Sequence, residues 1–163
     1  MPTNPVADAA ATPAPLWRRF ACMVYDLLPL AGLWMIAGGL WVLAFHRSYD
    51  PQHPDMLMRG LLDAWLLLVT AAYFAVSWTR IGQTLGMRAW KLKLVRRDGS
   101  LLDWRAAALR FVLASLSLAL LGGGFWYACF DAERRTWHDR VCGTRMLRLL
   151  PSQKQARSRP APG

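Results

Sequence analysis

Residues 18–28 read RRFACMVYDLL. Two arginines open an apolar run that continues to residue 45, and an aspartate, Asp26, lies inside it. At ~1.5 Å rise per residue, this run is long enough to cross a ~30 Å hydrocarbon core with some tilt. Arg19 and Asp26 are seven positions apart. At ~100° per residue that is nearly two full turns, so both lie on one helix face, ~10 Å apart along the axis. They are too distant to pair directly. An ionised carboxylate near mid-membrane costs ~2.5–3.5 kcal/mol on insertion scales. Asp26 therefore requires a partner, water or a proton.

Two further apolar runs follow. Residues 60–78, GLLDAWLLLVTAAYFAVSW, carry Asp63 near the start and Trp78 at the end, where an interfacial aromatic is expected. Residues 106–130 form the third run, interrupted by Gly122-Gly123-Gly124. The first run is too long for the apolar region of a signal peptide, and no small-x-small cleavage site follows it. These features predict an all-α integral membrane protein, a small bundle of about three transmembrane helices. Residues 1–15 hold four prolines and no periodicity, and read as a disordered tail. The transmembrane domain then spans 16–149, and 150–163 form a basic disordered tail.

The chain of 163 residues is 55% hydrophobic, with 20 Lys+Arg against 10 Asp+Glu. The basic residues flank the apolar runs, where lipid headgroups lie, so an anionic bilayer fits as partner better than nucleic acid. Eight Lys/Arg fall in 79–110 and eight in 131–163, but loop 46–56 has only Arg47. By the positive-inside rule the N-terminus and segment 79–110 are cytoplasmic. The basic C-terminal segment asks for the same side, and a single third crossing would deny it. A re-entrant turn at the glycines would leave arms of only ~16 Å, so the simpler geometry is a single crossing. Cys22, Cys129 and Cys142 match no metal or disulfide framework and read as reduced, buried residues.

Between the second and third runs, AWKLKLV alternates Trp90, Leu92 and Leu94 against Lys91 and Lys93, and Asp98-Gly99 signals a tight turn. This predicts a basic hairpin on the membrane surface, or else an amphipathic helix over 84–95. Asp103 is placed to cap the third helix.

Four short blocks recur in a known order. Arg19 and Asp26 form the first, and GQTLGMR, from Gly82 through Thr84 and Gly86 to Arg88, the second. Leu109-Arg110 is the third. The fourth is RTWHDRVCGT, containing His138, Asp139, Gly143 and Thr144. Together these blocks, over about residues 16–149, resemble the RDD family of small membrane proteins, named for one arginine and two aspartates. Met87 stands where that family usually has lysine, so Arg88 is the candidate for its charge. Asp139 best matches the second aspartate, with Asp131 as the substitute.

The resemblance implies a multi-pass protein of the bacterial inner membrane with an N-terminus in the cytoplasm. It also implies a role in transport of ligands or ions. An intramembrane carboxylate can trade a proton for a cation, and three short helices leave little room for a pathway. The residues themselves thus point to a cation/proton exchange module working as a homo-oligomer, the alternative being a non-transport module that packs with a membrane partner protein or anionic lipid. GQTLG lacks the Lys-Ser/Thr pair of a phosphate loop; its glycines fit a tight backbone path. His138 and Asp139 have no further ligands at metal-site spacing, so Asp139 fits an arginine-paired carboxylate better. No catalytic set lies at plausible depth, and no enzyme activity or cofactor is expected. The intramembrane polar set is Asp26, Asp63 and Arg110, with Arg19 at its edge, and Arg110 is the partner expected for Asp26.

Overall fold

A computed structural model describes residues 11–45, 55–119 and 136–149. The elements run β1 (Ala11–Pro13), α1 (Leu16–Phe45), α2 (Met56–Arg80), α3 (Leu85–Ala89), β2 (Leu92–Arg96), α4 (Trp104–Ala119), α5 (Trp137–Val141) and β3 (Thr144–Leu149). α1 and α2 have 30 and 25 residues, and both are long and apolar enough to cross a membrane. Only Arg19, Cys22, Asp26, Leu30 and Ala37 of α1 are buried, and only Trp78 of α2. Intervals of three, four and seven put those α1 residues on one stripe. Large apolar side chains outside it, including Val24, Leu28, Met35 and Leu43, are exposed. In water such surfaces would aggregate; in lipid they are the solvated face.

The helices are tied along their length by indole donors. Trp34 Nε1 donates to Thr70 Oγ1 at 2.9 Å, and Trp65 Nε1 to the Ala37 carbonyl at 3.2 Å. Pro29 sits inside α1 without ending it.

At one end of the helices lies a compact layer. Its three-stranded antiparallel sheet has the order β1-β3-β2, with Leu94 opposite Met146 and Thr12 opposite Arg148. Leu92 and Leu94 are fully buried and join Ala14, Cys22, Trp78, Met87, Leu102 and Ala107 in one core. The outer side of β2 is closed by its own loop. Leu94 N donates to the Gly82 carbonyl at 2.8 Å and Gln83 Nε2 to the Leu92 carbonyl at 2.5 Å. Asp103 Oδ1 accepts from Ala106 N at 2.8 Å and starts α4.

Three expectations change. The fold is mostly helical rather than all-α, because the alternation at Leu92–Arg96 pairs as a strand. Its partner is β3, some fifty residues later in the chain, instead of a local hairpin arm, because the Asp98-Gly99 turn leads into α4. The stretch taken as an N-terminal tail contains β1, which β3 recruits. β3 and α5 sit beside the beginnings of α1 and α4, joined to them through Asp139. Within the run 106–130 the described helix α4 reaches Ala119, ~24 Å from its start, and residues 120–130, with the triple glycine, lie outside the described residues.

Candidate functional site: two buried polar nodes

Two nodes occupy the junction of helices and layer. The first is centred on Asp26. Its Oδ1 accepts from Tyr73 Oη and from Gly86 N, each at 2.8 Å, and its Oδ2 from Thr84 Oγ1 at 2.6 Å. Tyr73 Oη in turn accepts from Leu85 N at 3.2 Å, and Thr84 Oγ1 accepts from Met87 N at 3.2 Å as the N-cap of α3. Asp26 therefore fixes the short helix α3 against α1. Carboxylate acceptors with backbone and hydroxyl donors form stronger bonds than neutral pairs, which answers the cost of burying this group.

This approach depends on glycine. A Cβ at position 86 would overlap the Cys22 carbonyl oxygen and lie 2.9 Å from the Asp26 carboxyl carbon. At Gly82, φ is +75° and a Cβ would lie 2.8 Å from the Leu94 carbonyl oxygen. GQTLG is thus a docking turn, with a glycine wherever backbone meets backbone.

The second node is centred on Asp139, which is fully buried. Its two carboxylate oxygens pair with Arg19 Nη1 and Arg110 Nη1. Arg110 Nη1 also donates to Thr144 Oγ1 at 2.6 Å, and Arg19 Nε to the Ala14 carbonyl at 3.3 Å. Thr136 and Asp139 form a reciprocal capping box: Thr136 N donates to Asp139 Oδ2 at 3.2 Å and Asp139 N to Thr136 Oγ1 at 3.4 Å. One carboxylate thus joins α1, α4, α5 and, through Thr144, β3. Arg110 further stacks on Trp78, its guanidinium carbon 5.5 Å from the ring centroid.

The structure accordingly replaces the expected Asp26–Arg110 pair. Arg110 goes to Asp139, and Asp26 to three neutral donors. Asp63 is exposed on α2, away from both nodes. Arg88 is exposed on α3, and Gly143 supplies a turn at φ +62° before Thr144. The side chain of His138 and all of Asp131 lie outside the described residues. Cys22 and Cys142 are free thiols; burial raises the Cys142 pKa above the usual thiol value, while Cys129 lies outside the described residues. No group of residues able to hold a metal ion occurs among the described residues.

Tyr73 and Thr136 are the contributors that sequence reasoning missed. Thr136-x-x-Asp139 is a capping-box pattern and could have flagged Thr136. Tyr73 gives no local signal, since an aromatic in an apolar helix is ordinary.

Two lipid-facing helices, closed at one end by a layer held on buried charges, define a small polytopic membrane protein. The model of the RDD family matches residues 13–143, and the chain belongs to that family. No curated protein and no solved structure matches it.

Proposed function

We propose that this protein is a non-catalytic, non-transporting module of the bacterial inner membrane. Its basic layer rests on the anionic cytoplasmic leaflet, with the N-terminus on that side, and engages a membrane partner protein or a second copy of itself. One observation carries the reading: the family charges Arg19, Arg110 and Asp139 bind one another across four elements and fasten the layer to the helices. Such charges act as structural locks rather than as a pathway. The layer also carries Arg88, Lys91, Lys93, Arg96 and Arg97 in one short stretch, each contributing on the order of 1 kcal/mol of attraction to an anionic surface. No substrate chemistry and no cofactor belong to this reading.

Proteoliposomes carrying the full chain and an internal pH dye test it. Imposed sodium or potassium gradients are expected to leave the internal pH unchanged relative to empty vesicles. A cation-dependent pH change would overturn the reading and favour the second one, proton–cation exchange by an oligomer. That alternative has its own observation: all three donors to Asp26 are neutral, so this carboxylate could exchange a proton for a cation without displacing an arginine. Exchange would then be lost in a folded Asp26→Asn variant.

A further inference from the structure

We propose that the start of α1 and the α3–β2 turn form a binding site for the phosphate of an anionic phospholipid. The site is distinct from both buried nodes. Its frame is aromatic: Trp17 and Trp90 meet edge to face at 5.5 Å between centroids, and Tyr25 meets Trp90 in the same way at 5.8 Å. Arg18 lies across two of these rings, its guanidinium carbon 4.8 Å from the Trp17 centroid and 5.9 Å from that of Trp90. Stacking on rings engages the face of a guanidinium and leaves its N–H donors to be satisfied in the plane.

Two donors in this frame have no acceptor. Arg18 Nε and Trp90 Nε1 are both buried and without a hydrogen-bond partner among the described residues. Buried donors are rarely left unpaired, and two in one aromatic cluster at a positive end of the molecule call for an external acceptor.

The next residue supplies an independent sign. Lys91 has φ +54°, the only non-glycine in the left-handed region among the described residues. It follows the C-cap of α3, a place where glycine is the relaxed choice. Its backbone is held on both sides, N donating to the Arg88 carbonyl at 3.1 Å and O accepting from Leu149 N at 2.8 Å. A cation thus occupies a position where the backbone favours glycine, and strain of this kind clusters at ligand sites.

The ligand follows from the surroundings. Trp17 and Tyr25 are 56% and 51% exposed toward the lipid side of α1, at the level where aromatic belts meet headgroups. An anion carried on acyl chains satisfies the donors and covers those rims together; a free ion satisfies only the donors. The site rests on the proposed membrane-surface module and names its lipid partner.

The full chain in detergent, given equal amounts of phosphatidylglycerol and phosphatidylcholine, is examined by intact-protein mass spectrometry for bound lipid, alongside thermal melting. Phosphatidylglycerol is expected to be retained preferentially. Arg18→Gln and Lys91→Gly should each cut that preference by about fivefold, the equivalent of one basic contact. Lys91→Gly should melt no lower than the wild type, because glycine relaxes the turn, so that stability and lipid retention move apart. Arg105→Gln, a charge change elsewhere on the layer, should leave the preference unchanged. Undiminished preference in Lys91→Gly overturns the site even if Arg18→Gln fails to fold. An equal loss in Arg105→Gln overturns it in favour of diffuse surface charge. Displacement of the lipid by inorganic phosphate or by an acidic peptide, each at the same charge, overturns the lipid as ligand. Flux in the proteoliposome assay would sink the module reading and leave this preference untouched.

Discussion

The helical pair and the layer at its end are built on opposite principles. α1 and α2 bury one stripe and one residue respectively, although together they hold close to half of the apolar residues. The layer is short and charged, yet the largest fully buried side chains, Leu92, Leu94, Thr84, Thr136, Thr144 and Asp139, all belong to it or to its edge. Apolar sequence does not by itself make a protein core. In the helices the bilayer does the covering, and indole hydrogen bonds tie the pair. In the layer the chain must cover itself, and buried polar groups are acceptable only because each carboxylate meets several donors.

The sharpest way to break this contrast is at Asp139. Asp139→Asn leaves two buried guanidinium groups without their shared counter-charge. Breaking a buried pair by removing one partner costs about 3–5 kcal/mol, and the loss should appear in denaturant unfolding of the detergent-solubilised protein. A cost below about 1 kcal/mol, typical of an exposed pair, would mean that the layer is held by its apolar core instead.

A middle-sized effect is expected at Gly86. Gly86→Ala drives a Cβ into the Cys22 carbonyl and the Asp26 carboxylate, and overpacking of this kind costs typically about 1–3 kcal/mol. Gly38→Ala, on the open face of α1 where a Cβ meets nothing within 4 Å, should be neutral or slightly stabilising. Equal effects at the two positions would erase the distinction between a self-covered junction and a lipid-covered face.

The smallest effect belongs to the rim of the layer. Asp103 accepts from Ala106 N and pairs with Arg96 at 2.7 Å. The backbone hydrogen bond from Ala106, followed by Arg96, holds its carboxyl below the usual value of 3.8. A group lowered in the folded state stabilises fully above its unfolded pKa and loses that contribution as pH falls through the folded one. Protection of the amides in the first turn of α4, taken relative to their intrinsic exchange rate at each pH, should therefore fall below about pH 4 in the wild type. In Asp103→Ala that protection should be low already at neutral pH and unchanged by acid. Identical acid responses in the two proteins would remove Asp103 from the account.

How legible was this in the sequence? The helices were plain, because length and hydropathy decide whether a segment can span a bilayer. The strand at Leu92–Arg96 showed its period of two, but its partner did not: Thr144–Leu149 reads TRMLRL without alternation, and nothing in its own residues says that it returns to β2. The same gap left the side of the C-terminal segment open, since a count of apolar runs carries no information about which ends meet. Asp139 could be assigned an arginine, though not which one.

The residues by themselves determined that this chain lives in a bilayer, that Arg19 and Asp26 share a helix face, and that glycines mark the GQTLG turn, because each follows from periodicity and local sterics. Only the tertiary structure decided that Asp26 faces Tyr73, Thr84 and Gly86 while Arg19 and Arg110 share Asp139. The physical reason is range. A buried charge must be matched, but its match is selected by which elements the sheet brings to one end of the helices, and the β2–β3 pairing responsible spans some fifty residues of sequence.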